Sequence, residues 1–246
     1  MKIRLVYSKL AEAKYVAHLD LTRFFTRALR RAGVDVARSQ GFNPRPRISF
    51  GPPLAVGAEG LTEYADVEIN GEPRRTELEA AMRALRCEMP RNIPILDYKA
   101  LPPGAPALTA VIDLACYLVW VPLNAPAAEA DLHTGLNEWL RQPEVIITKN
   151  KGEGAAPVKK NIRPFVRRLA LRRTANAGDA VFPPPAAPGF VLELEIGMSN
   201  AGSAKAADVI DSVCEFLALP WDKRGVAITR TALFTRGEKR CSPLEV

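Results

Sequence analysis

Strand-period and helix-period segments follow one another here in an order that few folds accept. Over residues 3–9, Ile, Leu and Tyr alternate with Arg, Val and Ser, which predicts a strand with one buried face. Asp20, as N-cap or first-turn acid, then precedes Leu21, Phe24, Phe25, Ala28 and Leu29. Their i, i+3, i+4 spacing predicts an amphipathic helix that Gly33 closes, with Arg23, Arg27, Arg30 and Arg31 on the opposite face. A short strand over 47–50, a strand over 63–69 ending at Asn70-Gly71, a helix over 73–85 and a strand over 93–98 follow. The first hundred residues therefore read β-α-β-β-α-β.

Residues 101–107 hold three prolines and a glycine and read as a linker. The order then recurs: a strand over 109–121, a helix over 125–141 and a strand over 144–150. Next come a turn at Lys151–Gly154 and an apolar-basic segment over 162–171 that Pro164 interrupts or confines to an edge. A polar loop over 172–188 leads to a strand over 190–196, a helix over 203–217 and a strand over 226–234. The expected fold class is α+β: two tandem ferredoxin-like units with antiparallel sheets, residues 1–100 and 108–246. The alternative is one larger α+β sheet whose halves share a core.

Composition bounds the function. The chain has 246 residues, 48% of them apolar, so a core of ordinary size is available. Its 34 Lys and Arg against 27 Asp and Glu give a formal net charge of +7, which favours an anionic partner. Cys87, Cys116, Cys214 and Cys241 are scattered, with no CxxC and no CxxxCxxC, so neither a zinc ribbon nor a chain-held iron–sulfur cluster is expected. Reduced, buried thiols in a cytoplasmic protein are the simpler expectation. The two histidines, His18 and His133, make no HxH or HExxH, so no metal and no cofactor is expected. The start of the chain lacks an apolar signal region, and the longest apolar run, residues 114–121, is strand-sized; no membrane partner is expected.

The segment Ser39-Gln40-Gly41-Phe42-Asn43-Pro44-Arg45-Pro46-Arg47-Ile48-Ser49-Phe50-Gly51-Pro52-Pro53-Leu54 carries the chemistry. Its four prolines stiffen the backbone. Arg45 and Arg47, at i and i+2 of an extended chain, share a face on which two guanidiniums clamp phosphate; the competing role is pairing with Glu63, Asp66 or Glu68. Phe42 and Phe50 are candidates to stack on bases or to anchor the loop, with anchoring favoured for Phe50. Lys159, Lys160, Arg163, Arg167, Arg168, Arg172 and Arg173, interleaved with Ile162, Phe165, Val166 and Leu169, form the densest basic run. They suit a nucleic-acid edge, a solvated strand face or a protein contact. His18, with Tyr15, Lys9 or Tyr7 as second group, is a candidate acid–base residue for RNA cleavage, set against a plain helix-start histidine. Gly51-Pro52-Pro53-Leu54-Ala55-Val56-Gly57 is no phosphate loop, because its prolines remove the donors that such a loop needs.

Tyr7-Ser8-Lys9, Tyr15-Val16-Ala17-His18-Leu19-Asp20-Leu21, Arg27-Ala28-Leu29-Arg30-Arg31-Ala32, the run from Ser39 to Gly51, Glu63-Tyr64-Ala65-Asp66 and Asn161-Ile162-Arg163-Pro164-Phe165 resemble the radical SAM-associated proteins of the DUF2344 group. The likeness is dense over about the first seventy residues and thin afterwards. It implies a radical SAM protein as partner rather than a reaction of the chain's own. The doubled order of elements also resembles RNA-processing proteins of the Cas6 type, a likeness of fold order alone. The expected function is a non-catalytic RNA-binding or substrate-presenting accessory protein acting with a radical SAM enzyme. Its Pro/Arg loop and C-terminal basic strand are expected to line one groove. The alternatives are a metal-independent endoribonuclease of the Cas6-like type and a purely protein-binding adaptor.

Overall fold

Arg4, in the first strand, is fully buried and sets how the N-terminal unit is built. The computed structural model describes residues 1–149, 156–172, 188–199, 201–235 and 240–245. The chain divides into two units, Met1–Asp113 with Ala232–Val246, and Leu114–Thr231. The architecture is mixed α+β, with mainly antiparallel pairing.

The first unit contains β1 (Lys2–Lys9), α1 (His18–Arg31), β2 (Ile48–Phe50), β3 (Glu59–Glu68), α2 (Arg75–Glu88), β4 (Ile95–Leu101) and α3 (Leu108–Val111). β1 lies between β3 and β4, antiparallel to both, with Leu5 opposite Ala65 on one side and Tyr98 on the other. β2 pairs with β3, so the strands run β4-β1-β3-β2. Ile3, Leu5, Tyr7, Ala65 and Val67 are buried with Phe25 and Leu29 of α1 and Met82 and Leu85 of α2. Each such apolar side chain contributes roughly 1.5–3 kcal/mol of transfer free energy.

The alternation along β1 predicts one buried face, but residues 3–9 are all buried. The polar face is covered too. Arg4 donates from Nε to Asp66 Oδ1 at 2.7 Å and from Nη2 to Asp66 Oδ2 at 2.9 Å. Its Nη1 reaches the Pro243 carbonyl at 2.6 Å and its Nη2 the Pro106 carbonyl at 3.2 Å. Tyr64 Oη and Ser242 Oγ lie 3.0 Å apart, and Lys99 Nζ donates to the Leu244 carbonyl. Residues 242–244 are thereby fastened to the N-terminal sheet.

α1 begins at His18 with Ala17 as an uncapped N-cap, so Asp20 acts as a first-turn acid beside the positive helix end. Its C-terminus closes as read: the Val34 amide reaches the Leu29 carbonyl, and Gly33 takes φ of 73°.

The second unit contains β5 (Ile112–Pro122, entered through α3), α4 (Glu129–Arg141), β6 (Ile146–Lys149), β7 (Val158–Asn161), β8 (Val166–Leu171), β9 (Gly189–Ser199), β10 (Gly202–Ser203), α5 (Ala206–Phe216) and β11 (Ala227–Thr235). The strand expected to start at Thr109 starts at Ile112, after one helical turn. Within this unit the strands run β10-β9-β5-β11, with β8 also on β9, and β6 and β7 form a separate hairpin. Pro164 breaks the apolar-basic segment as its missing amide requires: residues 163–165 form a 3-10 turn between β7 and β8. Trp139, Ile162, Leu192, Val209 and Val213 lie in its core. The last residues of β11 pass into the first unit, where they flank β3. The turn at 151–154, Arg173 and nearly all of the loop at 172–188 lie outside the described residues.

Candidate functional site

The proline-rich segment is held as a hairpin whose tip projects from the first unit. The Ser39 amide donates to the Arg45 carbonyl at 2.8 Å, the Arg47 amide to the Ala37 carbonyl at 2.8 Å and the Arg45 amide to Ser39 Oγ at 2.9 Å. Arg38 and Pro46 face each other as an isolated bridge. At the base, the Ala37 amide reaches the Glu68 carbonyl, which joins the hairpin to the end of β3. Gly41, at the tip, takes φ of 130°, a region that side-chain-bearing residues rarely enter.

The arginines of this region fall into two classes. Arg23 pairs with Asp20, Arg31 with Glu88, and Arg47 with Glu68 at 2.9 Å. Arg27, Arg30, Arg38 and Arg45 are exposed and have no ion pair among the described residues. Three of these, Arg27, Arg30 and Arg38, line one groove with Thr26, Val36 and Pro46, and Arg45 adjoins Pro46 in the chain. Asp35, the acid of this groove, accepts from Asn70 Nδ2 at 3.0 Å. Three groove guanidiniums, with Arg45 nearby, face the one carboxylate of Asp35, so the surface is net cationic, an arrangement suited to phosphate.

The two loop aromatics part company. Phe50 packs edge-on against Tyr7, Phe25 and His18, at ring distances of 6.3, 5.3 and 5.3 Å, and so anchors the loop. Phe42, at the hairpin tip, has a relative exposure of 103%.

His18 lines a narrow cleft with Tyr7, Lys9, Phe50, Pro52 and Glu63. Lys9 and Glu63 are buried there, and Lys9 Nζ donates to the Lys14 carbonyl at 3.2 Å. Tyr15 is not part of this cleft: it is 65% exposed, with Lys14 Nζ 5.3 Å from its ring centre.

In the second unit the basic run separates in the same way. Arg163 donates from Nε and Nη2 to the Leu140 carbonyl, at 3.0 and 2.6 Å, and from Nη1 to the Val166 carbonyl at 3.0 Å. Its guanidinium carbon lies 5.9 Å from the Trp139 ring centre. It therefore closes the negative end of α4 and braces the 3-10 turn. Lys160 donates to the Ser203 carbonyl and sits 5.2 Å from the Phe165 ring centre, and Arg168 pairs with Glu193. Lys159 and Arg167 are exposed and have no ion pair among the described residues. His133, on α4, sits 3.7 Å from Glu129. No group of three metal-ligating side chains occurs among the described residues.

The sequence reading named Arg45 and Arg47 and noted Arg27 and Arg30 as a helix face, but it passed over Arg38. Arg38 lies between α1 and β2 in a segment held only by isolated bridges, Val36 to Ile69 and Arg38 to Pro46, which leaves no periodic signal in the sequence.

A chain in the crystal structure of a Cbf5–Nop10–Gar1 complex has a similar fold, with a TM-score of 0.51 at 9% identity. The alignment covers 97% of this chain and 52% of that one, so the chain spans about half the length of that structure's chain. The small subunit of acetolactate synthase from Thermotoga maritima aligns over 97% of this chain and 98% of its own, at 12% identity and a TM-score of 0.25, too low to bear on the fold. No curated protein matches. Residues 2–204 match the model of the family described as an uncharacterized protein conserved in bacteria, DUF2344, and the chain belongs to that family.

Proposed function

We propose that this chain is a non-catalytic RNA-binding or substrate-presenting accessory protein that acts with a radical SAM enzyme. The single observation that carries the RNA part is the groove between α1 and the hairpin, where Arg27, Arg30 and Arg38 stand without acidic partners beside Arg45. A fold that gathers four guanidiniums against one carboxylate, Asp35, on one surface carries a repulsive cost, which a polyanion offsets. Arg47 contributes conditionally. Its pair with Glu68 is half exposed and worth at most about 1 kcal/mol, so a phosphate can displace it. Lys159 and Arg167 offer a further cationic edge on the second unit. The radical SAM partner rests on the motif resemblance set out above.

The same proposal reads each unit as ferredoxin-like. In the first, β4-β1-β3-β2 with α1 and α2 has the order of that fold. In the second, β11-β5-β9-β8 with α4 and α5 takes the same order, and the β6–β7 hairpin is an insertion.

A second reading, a metal-independent endoribonuclease of the Cas6-like type, is favoured by the cleft that His18 shares with Tyr7, Lys9 and Glu63. The two readings part on His18→Ala, which abolishes cleavage and spares binding if the chain is a nuclease.

The test is affinity purification of the tagged protein with and without nuclease, followed by binding of the recovered RNA across a salt series. Arg27→Ala/Arg30→Ala/Arg38→Ala should weaken binding and flatten the dependence of log K on log salt by about 0.7 per lost phosphate contact. A radical SAM protein recovered equally after nuclease, with no salt-dependent RNA affinity, would leave the adaptor reading and overturn this one.

A further inference from the structure

We infer that the arginine groove takes a single-stranded stretch of RNA, one of whose unpaired bases stacks on Phe42. This deepens the RNA-binding reading of the groove and rests on it. The hairpin presents Phe42 by design of its backbone. The Ser39–Arg45 hydrogen bonds close the tip, Gly41 supplies a φ of 130°, and Pro44 fixes the chain two residues on. The ring is consequently held out in water, at full exposure, by a braced support. The same loop packs its other aromatic, half-buried Phe50, against three rings. Loop anchoring is thus already accomplished, and Phe42 contributes nothing to it.

An exposed aromatic on the same hairpin as Arg38 and Arg45 combines the two elements that bind single strands: cations that follow the backbone and a platform for a base. Inside a duplex every base is already stacked on both sides, so apart from the two end pairs only an unpaired base offers Phe42 a free π-face. Arg27, Arg30, Arg38 and Arg45 then hold phosphates on either strand form, whereas Phe42 discriminates between them. Because stacking is tolerant of base identity, little sequence preference is expected from this contact.

The test compares a labelled oligouridine with a blunt RNA duplex of equal length, using the full chain and its Phe42→Ala, Phe42→Trp and Arg27→Ala/Arg30→Ala/Arg38→Ala variants. Phe42→Ala should weaken oligouridine binding by about 10- to 100-fold. It should leave duplex binding and the salt slope unchanged, because no charge is removed. Phe42→Trp should restore the affinity, and the triple arginine variant should weaken both ligands and flatten both slopes. Residue 42 is fully exposed, so circular dichroism of the variant should match the parent. If Phe42→Ala leaves oligouridine affinity intact, or weakens the duplex equally, the stacking inference is wrong while the RNA reading stands. If the parent binds neither ligand in a salt-dependent way, the RNA reading fails and the inference goes with it. A Phe42→Ala protein that keeps RNA but loses a co-purifying protein would make the tip a protein contact and overturn the inference.

Discussion

Replacing Asp66 by Ala tests whether the buried polar face of β1 organises the first unit. Asp66 accepts two charge-assisted hydrogen bonds from Arg4, at 2.7 and 2.9 Å, in a pair almost wholly removed from solvent. Without the carboxylate, the guanidinium keeps only the Pro243 and Pro106 carbonyls and becomes an uncompensated buried charge. Breaking such a pair from one side costs about 3–5 kcal/mol. For a chain of this size each kcal/mol lowers Tm by about 2–4 °C, so the expected fall is about 6–20 °C. Because Arg4 also holds Pro243, Arg4→Met should release the segment around residues 242–244, seen as faster proteolysis or amide exchange there. Arg4→Met with Asp66→Leu removes both charges and should recover most of the loss. Guanidinium chloride unfolding of the parent, Arg4→Met, Asp66→Leu and the Arg4→Met/Asp66→Leu double variant measures the coupling. A double variant whose destabilisation equals the sum of the single ones within about 0.5 kcal/mol would refute the reasoning, because it would show that the two charges do not depend on each other.

Three further outcomes are expected. Burial, with Asp211 and Glu215 adding, pushes the Cys214 thiol from 9.0 to about 12. The folded state thus favours the neutral thiol, and its contribution, about 4 kcal/mol at most, is present below pH 9 and lost as pH rises towards 12. Cys214→Ala should flatten the alkaline loss of stability in pH-dependent denaturation, and an equal loss in the variant would exclude the thiol as its source. In native protein near pH 8, iodoacetamide should modify exposed Cys87 and spare Cys214, as read by peptide mass spectrometry; equal labelling would contradict the burial of Cys214. Arg163→Ala should destabilise the second unit by about 1–3 kcal/mol, since it removes the donors on the Leu140 and Val166 carbonyls, yet leave the salt slope of RNA binding unchanged. Arg163→Lys should fail to rescue it, because one ammonium cannot reach both carbonyls as the planar guanidinium does.

Much of the element order was legible because it is written in local periodicity. The apolar stripe of α1, its glycine stop, the alternation in β3 and the β-branched run of β6 each specify one local structure. Their boundaries shifted where a proline or a helical turn intervened, as at Ile112 and at 163–165. The burial of the second face of β1 was not legible. Arg4 and Ser8 look like part of a solvent face, and what covers Arg4 includes the carbonyl of Pro243, 239 residues away. Covering of that kind depends on chain return, which has no local signature. Glu63-Tyr64-Ala65-Asp66 shows the consequence. A run that stands out in the sequence supplies two residues, Tyr64 and Asp66, whose contacts are with the C-terminal segment and with Arg4, so it supports the fold.

The candidate site divides along the same line. That a basic, proline-stiffened loop follows an arginine-faced helix can be read directly, but which arginines are spent internally cannot. Arg47 and Arg45 sit two residues apart with the same chemistry, yet only Arg47 meets Glu68, because β2 lies beside β3 in the register that sets Ile48 opposite Val67. Arg163 lies in the densest basic run and is its most occupied member, since the 3-10 turn aims it at the end of α4. Charge counting would rank Arg163 with Arg167 and Arg47 with Arg45. Pairing separates each couple into a brace and a free cation. That subtraction in the first unit leaves Arg83 and Arg91 apart from the hairpin region, and it leaves Arg27, Arg30, Arg38 and Arg45 together on one helix and one hairpin. They coincide with the single fully exposed aromatic of the loop, and this coincidence makes a binding surface a stronger explanation than a generally basic composition.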